Sequence, residues 1–158
     1  MKLICQIPPI VKLDPTINQL TNCRKLSLST NAIEKMVGLQ LRNLEILSLG
    51  RNNIKKITGL EEVGATLREL WISYNFIDRL DGLTPCNALT TLFIACNKIK
   101  AIDEVGKLAN LPNISNVLLL GNSMYEGVGK EEIRPLIVKR CRQLQVLDGS
   151  IVSLHFLD

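Results

Sequence analysis

The sequence predicts an α/β solenoid, in which short repeated units stack side by side and share one parallel β-sheet. The first observation behind this prediction is a template that recurs five times: an apolar residue, two others, an aliphatic residue, one other, an aliphatic residue, two others and then Asn. The second is its period of about 22 residues, which is typical of leucine-rich repeats. The third is composition, because 46% apolar with only 4% aromatic residues suits narrow aliphatic layers. The asparagines that end the five templates are Asn31, Asn52, Asn75, Asn97 and Asn122.

We interpret the 158 residues as one domain, because five repeats exceed the minimum of about three that bury a continuous core. Residues 1–22 form an N-terminal partial repeat, residues 23–122 the five repeats, and residues 123–158 a C-terminal cap. Strand side chains alternate, so template positions four and six point into the core while positions three, five and seven face the concave side. The predicted strands are Lys25–Ser29, Ile46–Gly50, Glu69–Ser73, Thr91–Ala95 and Asn116–Leu120.

Each template asparagine lies where the chain leaves its strand, and its amide can both donate to and accept from the turn backbone. Repetition therefore predicts a structural asparagine ladder that satisfies buried backbone groups. Beyond each asparagine, apolar residues three apart predict 3₁₀ or short helical turns on the convex face. The fourth repeat has extra residues around Lys107–Pro112, where we expect a fuller helix.

The two ends differ from the repeats, as terminal units of solenoids do. At the N-terminus the pattern predicts a convex half-repeat, preceded by an edge strand that contains Leu3 and Cys5. At the C-terminus it predicts a helical cap over Lys130–Arg142, with Pro135 in its first turn, where a proline is tolerated. Residues 144–149 then add a last strand-like segment.

An apolar row is the strongest functional feature of the predicted concave face. Trp71, Phe93 and Leu118 occupy template position five in three successive repeats, so they should form a row about 10 Å long. Exposed apolar clusters of this kind mark protein interfaces, where Trp and Tyr are preferred. The alternative is that neighbouring side chains cap the row and it binds nothing. The predicted partner-binding residues are Trp71, Tyr74, Phe93, Leu118, Arg51, Ile46, Leu120 and Cys96.

The charge balance offers a second, weaker candidate for binding. The formal net charge is +4, and basic residues concentrate on the predicted cap helix. They either form a solvated outer face or contact an acidic surface such as tubulin or a phosphate backbone. The residues in this cluster are Lys130, Arg134, Lys139, Arg140 and Arg142.

Catalysis, metal binding and membrane insertion have little support in the sequence. The five cysteines show no Cys-x-x-Cys spacing, so they read as reduced thiols of a cytosolic protein, and no metal or cofactor is predicted. No apolar run approaches the length of a membrane span. The sole histidine, His155, lies in the tail, and no phosphate-binding loop or nucleophile motif is present. The sequence therefore predicts a protein that is not an enzyme.

Several blocks carry letters that the repeat template does not require. They read Ile-Pro-Pro-Ile at 7–10, KLSLSTNAIEK at 25–35, ILSLGRNNIKK at 46–56, ELWISYNFI at 69–77 and LDG at 147–149. Together they resemble the leucine-rich-repeat light chain 1 family of axonemal outer-arm dynein. The likeness is close from Ile7 to about Ile77 and rests mainly on the repeat template from Leu89 onward.

This resemblance implies a non-catalytic interaction subunit in the cytoplasm and cytoskeleton, at the axoneme of cilia and flagella. Members of the family bind the dynein heavy chain at the microtubule-binding domain on its stalk tip and modulate the motor's interaction with the microtubule. The family's contact surface is the sheet face, and its Trp, Tyr and Arg match Trp71, Tyr74 and Arg51 here. The implied partner is a dynein heavy chain, with no nucleic acid and no membrane expected.

The sequence also departs from the family, and two other functions stay open. Only six residues precede the Ile-Pro-Pro-Ile block, where the family carries a helical segment, so we expect either an absent cap or a truncated chain with an open strand edge. Gly121-Asn122-Ser123 replaces the family's Gly-Asn-Pro, and the tail over 151–158 is short and apolar. The alternatives are a regulatory subunit of a protein phosphatase and a nucleic-acid-associated repeat protein, such as a spliceosomal subunit with this C-terminal cap.

Overall fold

The repeats stack into one seven-stranded sheet. This computed structural model describes residues 1–153; residues 154–158, which include His155, lie outside the described part. The strands follow chain order across the sheet, the first six parallel and the last antiparallel to its neighbour. Their bounds are β1 (Lys25–Ser27), β2 (Ile46–Ser48), β3 (Glu69–Trp71), β4 (Thr91–Phe93), β5 (Asn116–Leu118), β6 (Val146–Leu147) and β7 (Ser150–Ile151).

Strands β1 to β5 begin at the predicted residues but end two residues earlier than predicted. Inter-strand bonding continues beyond them, for example from the amide of Leu28 to the carbonyl of Ser48 at 2.8 Å. The chain then turns at template position eight, where the backbone is left-handed. The φ angles there are 57° at Thr30, 54° at Arg51, 59° at Tyr74, 53° at Cys96 and 81° at Gly121. This conformation ends each strand and sends the chain into its asparagine turn.

The core is a stack of aliphatic layers. Register places the fourth-position residues directly side by side, from Leu26 in β1 through Leu70 in β3 to Leu147 in β6. Each of these side chains is at most 1% exposed. The sheet thus presents one apolar face to the core and leaves the other face to solvent.

The convex side closes each layer with tightly packed turns. The apolar residues three apart beyond each asparagine are buried, with Ile102 only partly so. The fuller helix expected around Lys107–Pro112 is a nine-residue 3₁₀ helix over Ile102–Asn110, which begins earlier than expected. It ends before Pro112 because a proline disfavours helical backbone in the preceding residue. The other 3₁₀ helices are Pro15–Gln19, Asp81–Leu83 and Ser123–Tyr125. Gly82 allows one close approach, since an added Cβ would lie 1.9 Å from the carbonyl oxygen of Ile57.

The N-terminal end pairs with β1 as expected. The amides of Leu3 and Cys5 donate to the carbonyls of Ser27 and Ser29 at 2.8 and 3.2 Å, although only Lys2 forms a regular bridge.

The C-terminal end is capped by α1 (Lys130–Arg140), which is two residues shorter than predicted. The placement of Pro135 in the first turn was wrong, because it is the sixth helical residue. Its missing N–H would have paired with the carbonyl of Glu131, an exposed residue. Ile133, Ile137 and Val138 seal the apolar end of the stack. Within residues 1–153, no helix is long and apolar enough to cross a membrane.

Candidate functional site

The apolar row runs straight across the concave face. Register pairs Trp71 of β3 with Phe93 of β4, and Phe93 with Leu118 of β5. On the other side of Trp71 the row continues with Ser48 and Ser27. The apolar part of the row therefore occupies the C-terminal half of the sheet face, and the N-terminal half is small and polar.

Trp71 is the most prominent side chain of the row and is held in a defined orientation. Its ring stacks on that of Phe93 with centroids 5.8 Å apart and an interplanar angle of 27°. Its indole N–H donates to the Glu69 carboxylate at 3.1 Å. Trp71 is nevertheless 41% exposed. A large exposed ring that Phe93 and Glu69 already hold in one orientation is preorganised for binding. It loses little side-chain conformational entropy when a partner binds.

Phe93 keeps part of its surface open to solvent on the same face. Phe93 is half-buried because the Trp71 ring covers it. Ile46, Leu118 and Cys96 are half-buried as well, whereas Leu120 is 41% exposed. Trp71 is therefore the exposed edge of the row, and the other members support it.

A second ridge borders the sheet face at template position eight. The left-handed backbone places Arg51 and Tyr74 next to each other on adjacent repeats, and the Arg51 guanidinium lies 4.4 Å from the centre of the Tyr74 ring. This is a cation–π contact. Tyr74 keeps 50% of its surface exposed.

A shallow trough separates the two ridges, because template position seven carries small residues in four successive repeats. The first and third are serines whose hydroxyls are occupied: Ser29 bonds Ser48, and Ser73 accepts from the amide of Ala95 at 3.0 Å. The floor residues are Ser29, Gly50, Ser73 and Ala95. With Trp71 and Phe93 on one side and the position-eight ridge on the other, the trough has a floor of small residues, one apolar wall and one wall that carries the Arg51 cation.

The asparagine side chains hold the rim of this face together. Asn75 is representative: its Oδ1 accepts from the amide of Ile54 at 2.9 Å, and its Nδ2 donates to the carbonyls of Leu49 and Ile72 at 3.0 and 3.1 Å. Asn52, Asn97 and Asn122 repeat this arrangement. Asn31 does so at the half-buried N-terminal end.

Beyond the last asparagine, Asp148 satisfies backbone amides of the fifth repeat, a role that sequence reasoning missed. Asp148 accepts from the amides of Leu119 and Leu120 at 2.7 and 2.9 Å, and from the hydroxyl of Tyr125 at 2.5 Å. Burial and the Asp148 carboxylate raise the pKa of Tyr125 far above its ordinary range. The LDG block at 147–149 could have revealed this residue, since Asp148 directly follows Leu147, the last core residue in register with the repeat strands.

Two arginines of the cap helix make contacts within the chain. Arg134 is 7% exposed and donates to the carbonyls of Leu147, Ser150 and Ile151, so it holds the terminal hairpin. Arg140 pairs with Asp103 at 2.8 Å. Two of the five cluster members are therefore occupied within the chain.

The cysteines are all free thiols. Burial raises the pKa of Cys86 to about 11, with a smaller contribution from the Glu61 carboxylate, and burial alone raises that of Cys141 to about 11. Neither thiol is therefore an activated nucleophile. Within the described residues, no three His, Cys, Asp or Glu side chains converge into a group that could hold a metal.

The structure also reveals a basic surface that sequence reasoning missed. It lies beside the concave face, on the turns after the asparagines of the second to fourth repeats, around the exposed Phe76. Its lysines and arginine come from three segments about twenty residues apart, so no single charge run in the sequence indicates them.

Three known proteins that are similar in sequence to this chain share one name. Residues 65–110 match the family model described as Leucine Rich repeats (2 copies). The chain is 48% identical to a Danio rerio protein named Dynein axonemal light chain 1, over 96% of this chain and 80% of that protein. It is 49% identical to the Homo sapiens protein of that name, over 96% and 81%, and 46% identical to the Chlamydomonas reinhardtii protein, over 94% and 77%.

Solved structures share the fold. A chain from the crystal structure of the Drosophila melanogaster SNF/U2A' complex superposes with a TM-score of 0.74 at 19% identity, over 93% of this chain and 88% of that one. An internalin (inlF) from Listeria monocytogenes gives a TM-score of 0.70 at 21% identity, over 91% and 39%. At these identities the likeness concerns the fold alone.

Proposed function

This chain belongs to the dynein axonemal light chain 1 family, and from that premise we propose that it is a non-catalytic light chain of an axonemal outer-arm dynein. It binds the dynein heavy chain through the concave face. It works in the cytoskeleton, at the axoneme of cilia and flagella.

The observation that supports this proposal most strongly is that the Trp71 ring is both held in one orientation and exposed to solvent. The ring is oriented by Glu69 and Phe93 and yet 41% exposed. A lone tryptophan serving only the fold would be covered by the chain itself, whereas a pre-oriented exposed indole is typical of an interface hot spot. The exposed Tyr74 and its Arg51 partner extend this surface across the trough.

The shape of the face favours a helical element of the heavy chain. The trough crosses four strands, which spans about 14 Å at 4.8 Å per strand. A helix of about ten residues covers that length. Its apolar side chains would contact Trp71 and Leu118, and an acidic side chain would meet Arg51. We assign this element to the microtubule-binding domain on the stalk tip, which the family resemblance implies.

The test is a binding titration with a recombinant microtubule-binding domain of an outer-arm heavy chain. Trp71→Ala should weaken binding by roughly 30-fold, which corresponds to about 2 kcal/mol. Phe76→Ala is the matched control, because Phe76 is a similarly exposed aromatic residue, 47% exposed, outside the concave face. Equal affinity of wild-type and Trp71→Ala protein would contradict the proposed interface.

A pull-down from ciliated cells separates this function from its alternatives. Recovery of a dynein heavy chain with wild-type protein, and its loss with Trp71→Ala, supports the proposal. Recovery of a phosphatase catalytic subunit in its place would overturn it. Because the light chain is proposed to modulate the motor, adding it should also change how much of the heavy-chain domain sediments with microtubules.

A further inference from the structure

The lateral basic face lies on the turns that follow three successive asparagines. We define it by Lys55 and Lys56 of the second repeat, Phe76 and Arg79 of the third, and Lys98 and Lys100 of the fourth. These repeats are adjacent in space, since the amide of Phe76 donates to the carbonyl of Ile54 and that of Lys98 to Ile77, both at 2.8 Å. The side chains line one open cavity of about 700 Å³.

The positive charges of this face are not neutralised within the described chain. Among residues 1–153, none of its five cationic side chains has a carboxylate oxygen within 4.0 Å. Glu104 also lines the cavity, but both its oxygens contact Lys107 at 2.8 Å and one accepts from the amide of Leu80. Among the residues that line this cavity, Asp78 is then the remaining carboxylate against five positive charges, and Glu61 lies beyond it in an adjoining cavity that Lys55, Lys56 and Arg79 also line.

The net charge of the face differs from repeat to repeat, and this order indicates which kind of ligand would fit it. The second repeat contributes two lysines and the fourth repeat two more. In the third repeat Asp78 and Arg79 form no ion pair, but their opposite formal charges sum to zero, and Phe76 is 47% exposed. The face is therefore cationic, then apolar and neutral, then cationic, with about 5 Å between successive levels.

We propose that the lateral basic face binds an extended acidic peptide segment whose two carboxylates flank one apolar side chain. In an extended chain, residues two apart point to the same side and are separated by about 6.6 Å. An acid–x–apolar–x–acid segment thus places its apolar side chain on Phe76 and its carboxylates at the lysine pairs. Flexible lysine side chains accommodate the difference in spacing.

Asp78 argues for a peptide and against a nucleic acid. A phosphate backbone carries a charge at every nucleotide, so it would bring negative charge past the Asp78 carboxylate in the middle of the face. The peptide carries no charge at that level.

The test is fluorescence anisotropy with a labelled peptide that contains Glu-Gly-Phe-Gly-Glu, titrated with the full chain. We expect salt-sensitive binding that Phe76→Ala weakens by about 5-fold and the double variant Lys55→Glu/Lys98→Glu by more than about 10-fold. A peptide with Ser in place of Phe should bind the wild-type protein about as weakly as the original peptide binds the Phe76→Ala variant. Trp71→Ala should leave the affinity unchanged, which separates this site from the concave face. Thermal melts confirm that these surface variants fold.

Three outcomes would overturn the proposal. The first is no binding of the peptide even at low salt. The second is equal affinity of the wild-type protein and the double variant. The third is that a single-stranded oligonucleotide binds more tightly than the peptide and loses affinity in the same double variant, which would identify the face as a nucleic-acid site.

Discussion

Replacing Asn75 by alanine tests whether the asparagine ladder holds the stack together. Asn75 is 4% exposed and lies in the middle of the ladder. Its loss affects three buried backbone groups unequally. The amide of Ile54 loses its hydrogen-bond acceptor, since it donates to Asn75 Oδ1. The carbonyl of Leu49 keeps a bond from Asn52, and that of Ile72 keeps one from Asn97.

The magnitude follows from this accounting. One orphaned buried N–H costs about 1–3 kcal/mol, and each carbonyl that loses one of two donors costs roughly 0.5–1 kcal/mol. The sum is about 3 kcal/mol. For a chain of this size, that lowers the melting temperature by roughly 6–12 °C.

The assay is urea unfolding followed by far-UV circular dichroism, with two comparison variants. Asn53→Ala changes the asparagine that follows the ladder residue Asn52; Asn53 is exposed and its side chain makes no hydrogen bond within residues 1–153, so the effect should stay within about 0.5 kcal/mol. Asn31→Ala should cost less than Asn75→Ala, because water can reach the half-buried end of the ladder. If Asn75→Ala is no more destabilising than Asn53→Ala, the ladder does not carry the stability assigned to it.

Three further predictions concern packing and the buried thiols. Gly82→Ala should destabilise the protein by about 2 kcal/mol or more, because its Cβ would overlap the carbonyl of Ile57, whereas Gly106→Ala, with nothing within 4 Å, should be neutral or slightly stabilising in the same urea assay. Iodoacetamide at pH 8 should modify the exposed Cys5 readily but leave Cys86 and Cys141 intact until the chain unfolds, as peptide mass mapping would reveal. The free energy of unfolding should fall as pH rises from about 9 towards 11, because the native state retains thiol protons that the unfolded state releases at the ordinary pKa. If Cys86→Ala leaves the pH dependence of the unfolding free energy unchanged, the Cys86 thiol is not one of its causes.

Much of the fold was predictable because the repeat imposes one local rule many times. The start of each strand from Lys25 to Asn116 follows from where the template places its aliphatic residues. The ends were less predictable, since Pro135 is tolerated in the middle of α1 because the carbonyl that it leaves without a donor belongs to the exposed Glu131. The terminal β-hairpin, formed by β6 and β7, depends on Arg134, whose three carbonyl partners are remote in sequence.

The candidate site was only partly predictable for a related reason. The row of Trp71, Phe93 and Leu118 follows from alternation within strands, and the structure aligns it. The partial burial of Phe93 depends on the side-chain orientation of Trp71, which the repeat template does not specify. The lateral basic face arises only when Lys55, Arg79 and Lys98 are stacked by folding.

The left-handed residues at template position eight have an evolutionary consequence. A non-glycine residue in this conformation costs roughly 1–2 kcal/mol compared with glycine. Arg51 and Tyr74 therefore make the chain less stable than it could be. Related chains that lost their binding partner would have no reason to keep these side chains, and drift towards Gly or Asn at both positions would make them more robust to heat. The increase in thermostability of a Tyr74→Gly variant would thus measure the folding stability that the protein loses by holding a tyrosine in this conformation.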